Sequence, residues 1–253
     1  MDVLLDRDGA VQRIGFNRPQ RRNAITAEMY TALADAIEAA ERDDAVRVML
    51  LHGVGGSFTA GNDIEDFVRR PPSDESTPVF RFLRVMSAAA KPFVAAVNGS
   101  AVGIGTTLLL HCDLVYAGED AKFQLPFVSL GVVPEFASSY LLPRVAGHAR
   151  AAEMLLLGQS FDARRALEGG IVTAVAPAAD TLRIATEAAQ RLASLPAKSV
   201  RLTKQLMKAA HAGAVQEQLA VEGRHFRAML SEPAAREALN AFLEKRKPDF
   251  SKT

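Results

Sequence analysis

The sequence predicts an α/β fold in which strands and helices alternate over the first two-thirds of the chain and helices fill the remainder. The apolar stretches Val46–His52 and Phe93–Val97 are strand candidates, and each ends in a glycine-rich turn. From Pro134 onward, apolar residues recur mostly at helical spacing. Alternating strands and helices favour a parallel sheet, with the helical segment packed beside it.

The remaining elements are predicted in chain order. Val3–Leu5 and Val11–Phe16 flank Asp8-Gly9, a pair typical of a β-hairpin turn. Thr26 is a candidate N-cap for the first helix. Further strands are predicted at Asp113–Ala117, from Lys122 onward, and at Ile171–Val175. Further helices are predicted at Val79–Ala90, Pro134–Val145, Ala149–Leu157, Asp162–Glu168, Thr181–Leu195, Ala197–His211, Val215–Leu230 and Ala234–Lys245.

Composition is that of an ordinary folded protein of 253 residues. Hydrophobic residues make up 49%, charged residues 23%, and the formal net charge is +1. The near-neutral balance gives no indication of nucleic acid or of an acidic membrane surface as a partner. A single cysteine, Cys112, excludes an internal disulfide. With no apolar run long enough for a signal peptide or a membrane span, we expect a cytoplasmic protein.

Two glycine-rich turns are the first candidates for a functional site. One lies in KPFVAAVNGSAVGIGTTLLLH (Lys91–His111), where a helix is predicted from the glycines through Leu110. The other is GVGGSFTAGNDIEDF (Gly53–Phe67). Free backbone N–H groups from both turns could converge on one carbonyl oxygen, the minimal oxyanion hole. The alternative is that both are ordinary loops between a strand and a helix.

Five sequence words resemble the crotonase, or enoyl-CoA hydratase/isomerase, superfamily. They occur in family order and span nearly the whole chain. The words are NRPQRRNAI (Asn17–Ile25), SFTAGNDI (Ser57–Ile64), KPFVAAVNGSAVGIG (Lys91–Gly105), CDLVYAGEDAKF (Cys112–Phe123) and FLEKRKPDF (Phe242–Phe250).

The resemblance implies a ClpP/crotonase-like α/β fold, a ββα spiral with a helical C-terminal region used for trimerisation. The core and acyl-CoA site would occupy residues 1–195 and the helical region residues 196–253. Such proteins bind acyl-CoA thioesters and stabilise an enolate at the thioester oxygen. We therefore expect an acyl-CoA substrate, no separate cofactor because coenzyme A is part of that substrate, no metal, and a homotrimer or a hexamer of two trimers.

Residue roles carry over from the same words. The oxyanion donors would be the backbone N–H groups of Asn62 and Ile104. Ile104 departs from the small residue usual at its position, but the backbone, not the side chain, supplies the donor. Positions that match contacts to the pantetheine and adenine are Arg22, Ala24, Ala60, Asp63 and Ile64, with Phe242 and Lys245 from the C-terminus. For the basic residues a solvated surface is the alternative, and for Asp63 it is a turn cap.

Acid/base residues, rather than the fold, decide the reaction. Hydratases of this family use two glutamates, and the matching positions here hold Thr107 and Phe127. Neither side chain transfers a proton near neutral pH, which disfavours hydration by that mechanism. One carboxylate is left, Glu135, in a PE…SSY word that resembles peroxisomal-type Δ3,Δ2-enoyl-CoA isomerases with a single catalytic glutamate. The AGND word at Ala60–Asp63 resembles the same subgroup.

One base suffices for the isomerisation, because a carboxylate that reaches both C2 and C4 can take one proton and return another. Leu125, Phe127 and Phe136 would surround Glu135 with apolar groups, and desolvation would raise its pKa towards working pH. The alternative role for Glu135 is an acid in the first turn of a helix after Pro134, where the macrodipole favours it.

Other candidates indicate structure more than chemistry. His52 and His111 lie on apolar segments and are interpreted as core residues. Ser138, Ser139 and Tyr140 either shape an acyl pocket or support the fold. The sequence thus predicts a Δ3,Δ2-enoyl-CoA isomerase. An enoyl-CoA hydratase, another crotonase-type acyl-CoA enzyme, and a non-catalytic CoA-binding subunit are the alternatives.

Overall fold

The computed structural model describes residues 1–253, except for the side chain of Lys252. The strands are β1 (Val3–Asp8), β2 (Val11–Phe16), β3 (Val48–Gly53), β4 (Phe93–Val97), β5 (Ser100–Val102), β6 (Leu114–Gly118), β7 (Lys122–Gln124), β8 (Phe161–Asp162) and β9 (Ala174–Ala176). The helices are α1 (Ala27–Arg42), α2 (Ile64–Arg69), α3 (Pro78–Ala88), α4 (Ile104–Thr107), α5 (Ser138–Ala146), α6 (His148–Ala152), α7 (Ala163–Glu168), α8 (Thr181–Ser194), α9 (Ala197–Ala209), α10 (Ala212–Leu230) and α11 (Pro233–Leu243).

The strands form two sheets. The six-stranded sheet has the order β1-β2-β3-β4-β6-β9, and the three-stranded sheet has the order β5-β7-β8. Strands β1 and β2 are antiparallel with Asp8 opposite Val11, which confirms the predicted hairpin. The other pairs of the larger sheet are parallel. The turns that follow β3 and β4 therefore leave the sheet at one edge, side by side.

The larger sheet is covered on both faces. On β3, Val48 and Leu50 pack towards Ala185 and Ala189 of α8, while Leu51 faces the main core that α1 and α3 also fill. This alternation follows from the two-residue period of a strand. Because both faces are buried, the strand reads as a continuous apolar run, as expected for a parallel sheet.

The C-terminal helices fold back onto the core. Helix α10 packs against α5 and α9, and α11 packs against α2 and the 3₁₀ turn Val128–Leu130. The structure confirms the predicted helical C-terminal region, and the division at residue 195 stays a prediction. Among the described residues, no helix combines the length and the apolarity that a membrane crossing requires.

The predicted helix Pro134–Val145 begins later than expected, and this is a correction that concerns Glu135. Helix α5 starts at Ser138. Phe136 and Ala137 both have left-handed backbones, with φ of +59° and +55°, and such residues cannot continue a right-handed helix. Glu135 therefore lies in an irregular segment before the helix, and its interpretation as a first-turn acid is wrong.

Other boundaries differ because tertiary contacts override local pattern. The predicted strand Ile171–Val175 is observed as β9 (Ala174–Ala176); the N–H groups of Ile171 and Val172 instead donate to Ala166 in a turn. The apolar run after Gly103 forms α4 and then a 3₁₀ turn (Leu108–His111), and not the single helix predicted through Leu110. The second half of the predicted helix Ala149–Leu157 is a π-helical turn.

Candidate active site

Backbone hydrogen bonds join the two glycine-rich turns to each other. The N–H of Val102 donates to the carbonyl of Thr59 (3.1 Å), and the N–H of Thr59 donates to the carbonyl of Ser100 (2.8 Å). At Gly61, with φ of +85°, a Cβ would lie 2.6 Å from the carbonyl oxygen of Val102. Glycine is required there because the two backbones approach too closely for any side chain. The structure thus confirms that the turns converge.

Both predicted donors lie on this junction. Ile104 is the first residue of α4, where a backbone N–H has no partner within the helix. Asn62 follows Gly61 in the other turn. Among the described residues, neither N–H has a protein acceptor, and both residues line one cavity. Their assignment as oxyanion donors stays a prediction, but two unpaired donors at a cavity wall suit it.

The turn that carries Asn62 is held from behind by α1. The buried hydroxyl of Tyr30 donates to the side-chain oxygen of Asn62 at 2.5 Å. The N–H of Ile25 donates to the carbonyl of Gly61 at 2.8 Å, and this carbonyl shares a peptide unit with the N–H of Asn62. The bond from Ile25 restrains the peptide plane that carries the N–H of Asn62, and the bond from Tyr30 restrains the Asn62 side chain. Donors of fixed orientation are what an oxyanion hole requires.

The cavity has a volume of about 890 Å³. Every residue that the sequence predicts for the site lines it: Glu135, Asn62, Ile104, Arg22, Ala24, Ala60, Asp63, Ile64, Phe127, Phe242 and Lys245. The structure therefore brings together residues from the two glycine turns, the Glu135 segment and the C-terminal helix α11. This shows a common location, and the individual roles stay predictions.

Glu135 is enclosed by protein and keeps some accessible surface because it lines the cavity. The hydroxyl of Thr107 donates to its Oε1 at 2.5 Å. Burial raises the pKa of Glu135 to about 8; the bond from Thr107 opposes this rise and the charge of Glu222 adds to it. A carboxyl group with this pKa is a usable base and a usable acid near neutral pH.

The other carboxylates on the cavity wall have different duties. Asp63 caps α2 by accepting from the N–H of Asp66 (3.2 Å), which confirms its interpretation as a cap, and it pairs with Arg18 at 3.0 Å. Glu65 is half-exposed and lies 3.4 Å from Arg21. Glu135 is thus the partly buried carboxylate of the described wall that no cation neutralises.

The residues predicted to contact coenzyme A share the cavity wall with Glu135. Arg22 has a left-handed backbone, and its carbonyl accepts from the N–H of Ala60 at 2.9 Å. Phe242 is 60% exposed on α11, and Lys245 follows it with φ of +56°. An exposed aromatic ring beside a cation is suited to a ligand that carries both a ring and phosphates.

A small second cavity of about 20 Å³ adjoins Glu135 and Asn62. Its wall is aromatic and aliphatic, with Phe67, Phe136 and Phe226 among the contributors. Three helices, α2, α3 and α10, contribute side chains to it. An acyl group whose reacting carbons lie at Glu135 would extend towards this apolar wall.

Two residues near the site escaped the sequence analysis. Tyr30 looks like any other apolar-face residue of α1, so no signal marked it. Glu222 is 4% exposed and falls between Leu219 and Phe226 on the inward face of α10. A charged residue at an inward position of an amphipathic helix is the signal that could have found it.

His111, Ser138 and Ser139 have supporting roles. His111 is 3% exposed, its ring stacks on Phe136 at 3.9 Å, and burial lowers its pKa to about 3, so its interpretation as a core residue is confirmed. Ser138 donates to the carbonyl of Glu135 at 2.6 Å. Ser139 contacts Glu222. These serines support the Glu135 segment from behind.

Known proteins with similar sequences are acyl-CoA isomerases and hydratases. A model of the enoyl-CoA hydratase/isomerase family matches residues 6–253. The chain is 36% identical to 1,2-epoxyphenylacetyl-CoA isomerase of Escherichia coli (strain K12), over 98% of each chain. It is 40% identical to enoyl-CoA delta isomerase 2 of Rattus norvegicus, over 81% of this chain and 54% of that protein. Hydratases are also among its relatives.

A solved structure agrees with the fold. The enoyl-CoA hydratase/isomerase of Pseudoalteromonas atlantica T6c superimposes with a TM-score of 0.94 at 40% identity, covering 99% of this chain and all of that one. Fold and site together define an acyl-CoA enzyme of the crotonase superfamily. The chain belongs to the enoyl-CoA hydratase/isomerase family.

Tyr30→Phe tests the support behind Asn62. Loss of the hydroxyl leaves the side-chain oxygen of Asn62 without its donor, and a net hydrogen bond of about 1 kcal/mol corresponds to roughly fivefold in rate. We expect kcat on an acyl-CoA substrate to fall about fivefold, measured by steady-state kinetics. Tyr116→Phe, outside the cavity wall, is the matched control, and equal kinetics for the two variants would contradict this role of Tyr30.

Proposed function

We propose that the protein is a Δ3,Δ2-enoyl-CoA isomerase that uses Glu135 as its single acid/base group. The observation that carries the proposal is the isolation of Glu135. It is partly buried on the wall of the cavity that Asn62 and Ile104 also line, while Thr107 and Phe127 occupy the positions where hydratases of the family hold glutamates. Support also comes from the relative named enoyl-CoA delta isomerase 2, although the chain spans only about half of its length.

The proposed reaction moves one proton in each direction. The carboxylate of Glu135 removes a proton from C2 of a 3-enoyl-CoA, and the electron pair moves through the alkene and carbonyl to give a dienolate. The N–H groups of Asn62 and Ile104 donate to the dienolate oxygen and stabilise its charge. The protonated Glu135 then returns the proton to C4, which yields the 2-trans product.

The surroundings of Glu135 suit proton transfer without water. Thr107 holds one carboxyl oxygen and leaves the other available to the substrate. Phe127 is 5% exposed and contributes no acid or base to the wall. Hydration would need a second group to activate water, and neither Thr107 nor Phe127 can act as that base.

Glu135→Gln is the direct test. The amide cannot accept the C2 proton, so isomerisation of trans-3-hexenoyl-CoA should fall about a hundredfold or more, the scale of an acid/base group. The assay follows formation of the 2-enoyl product, beside a second assay that follows loss of the conjugated absorbance of crotonyl-CoA. Wild type should isomerise fast and hydrate slowly. Glu119→Gln, an exposed carboxylate outside the cavity wall, serves as control and should match wild type.

Three outcomes would overturn the proposal in different ways. Brisk hydration of crotonyl-CoA by wild type would favour a hydratase with relocated groups. Unchanged isomerisation in Glu135→Gln would place the base elsewhere in the cavity. Binding of coenzyme A without turnover of either substrate would favour a non-catalytic CoA-binding subunit.

The pH dependence of the reaction follows from the raised pKa of Glu135. Only the ionised form accepts the C2 proton, so kcat/KM should rise with pH through a midpoint near the pKa of about 8 and lose about tenfold per pH unit below it. Initial rates between about pH 5.5 and 9.5 measure this. A midpoint near the ordinary glutamate pKa of about 4.3 would contradict the role assigned to burial.

A second candidate function has its own support. The relative from Escherichia coli is named 1,2-epoxyphenylacetyl-CoA isomerase and matches over the full length of both chains. Phe67 and Phe226 line both the small cavity and the main one, where they would contact an aryl acyl group. We would therefore assay a ring-epoxide acyl-CoA as a further substrate. Turnover of this compound, together with no turnover of trans-3-hexenoyl-CoA, would favour this second function.

We also propose that the protein assembles as a homotrimer or as two stacked trimers. Exposed Leu202, Leu206 and Met207 lie close together along α9, and an apolar strip of this kind favours a protein contact. Light scattering after size exclusion should give a mass near three or six times 27.2 kDa. A mass of 27.2 kDa at micromolar concentration would contradict the assembly.

A further inference from the structure

Glu222 is a second buried carboxylate beside the candidate active site, and it does not line the cavity. It projects from α10 and is 4% exposed. Its oxygens accept from the N–H of Ala137 at 2.6 Å and from the N–H of Ser139 at 3.0 Å. The hydroxyl of Ser139 donates to it as well. These partners are uncharged and belong to the segment that immediately follows Glu135.

That segment has a backbone that local forces do not favour. Phe136 and Ala137 are consecutive non-glycine residues in the left-handed region, a conformation that persists only where surrounding contacts fix it. On one side, Nε2 of His111 lies 2.8 Å from the carbonyl of Phe136; because a carbonyl only accepts, this nitrogen carries the proton. On the other side lies Glu222.

Helix α10 connects this anchor to the cavity wall. Leu219, Gly223 and Phe226, within one turn of Glu222, line the small cavity beside Glu135. The helix that holds the Glu135 segment therefore also shapes the space next to Glu135. At Gly223 a Cβ would lie 3.0 Å from the ring of Phe80, which shows how closely α10 approaches α3.

We propose that Glu222 is a positioning residue for the reaction: through the N–H groups of Ala137 and Ser139 it holds the left-handed segment that aims the carboxylate of Glu135. This proposal rests on the proposed function for its effect on turnover. The structural part of the proposal, that Glu222 restrains residues 135–139, does not depend on which reaction uses Glu135.

The charge of Glu222 has a second effect, on the pH at which Glu135 ionises. A like charge nearby disfavours ionisation, and it raises the pKa of Glu135 in addition to burial. The other titratable groups around Glu135 are neutral near pH 7, since burial raises the pKa of Tyr30 and lowers that of His111.

Charged and titratable groups near α10 have partners other than Glu222. On α5, the guanidinium of Arg144 lies over the ring of Tyr140, and the hydroxyl of Tyr140 bonds to His211 at 3.1 Å. On α10 itself, the guanidinium of Arg227 lies over the ring of Phe80 of α3. On α9, the ammonium of Lys208 donates to the carbonyl of His111 at 3.3 Å. None of these cations forms an ion pair with Glu222. Burial raises the pKa of Glu222 to about 7, so above that pH its negative charge acts on Glu135 without a paired cation.

Glu222→Gln separates positioning from mere folding. The amide can accept only one of the two N–H groups and carries no charge. We expect kcat to fall about tenfold or more with KM changed less than about threefold, and the midpoint of the pH profile to move towards lower pH because the like charge is gone. Hydrogen exchange of the backbone around residues 136–140 should become faster, a readout that does not depend on activity.

Two further variants complete the design. Glu217→Gln makes the same chemical change at an exposed position of α10 and should match wild type in every measurement. Glu222→Asp keeps the charge but shortens the reach, so kcat should fall while the pH midpoint stays in place. This variant also decides the matter if Glu222→Gln does not fold, which circular dichroism would reveal.

The outcomes distinguish this proposal from the proposed function. If wild type fails to isomerise 3-enoyl-CoA but exchange near residues 136–140 speeds up in Glu222→Gln, the proposed function fails and the restraint stands. If Glu222→Gln retains the kcat, the pH midpoint and the exchange rates of wild type, the positioning role is wrong. If kcat falls but exchange and the pH midpoint do not change, the role is also wrong.

Discussion

The site depends on one backbone contact, the pair of hydrogen bonds between Thr59 and the segment Ser100–Val102. The turns that follow β3 and β4 leave the sheet at the same edge, and this contact joins them into one surface. It requires glycine at position 61, where a side chain would collide with the carbonyl of Val102. Two free N–H groups therefore face one cavity wall. The parallel sheet behind them is buried on both faces and fixes their separation.

Burial of charge without a paired cation is the second constraint. Glu135 and Glu222 are both acidic, both enclosed, and both hydrogen-bonded to neutral groups. Such an arrangement disfavours the ionised form of each, which costs stability at neutral pH, and proteins place such strain where chemistry uses it. The raised pKa of Glu135, to about 8, suits the proposed isomerisation, in which one group takes and returns a proton. Glu222 meanwhile fixes the backbone that carries it.

The fold alone leaves several reactions open, because a cavity with the proposed N–H pair would suit any enolate of an acyl-CoA. What narrows the choice is a small set of side chains. At the two positions where hydratases of the family hold glutamates, this chain has Thr107, whose hydroxyl bonds to Glu135, and Phe127, which is apolar. An isomerisation that needs one base fits these substitutions, whereas hydration by two glutamates does not. The aromatic side chains beside Glu135 would select the acyl group of the substrate and would not transfer protons.

The sequence by itself determined the α/β class, the hairpin at Asp8-Gly9, the helical C-terminal region and the eleven residues that meet in the cavity. The first three follow from period-two and helical apolar patterns and from turn residues, which are local signals, whereas the eleven cavity residues follow from the resemblance of the sequence words to the crotonase superfamily. Only the tertiary structure decided the conformation around Glu135. The sequence favoured a helix from Pro134, but bonds from His111 and Glu222, 24 residues before and 87 residues after Glu135, hold Phe136 and Ala137 in the left-handed region. Contacts so distant along the chain leave no mark on a local pattern, because they form only when α10 packs against α5.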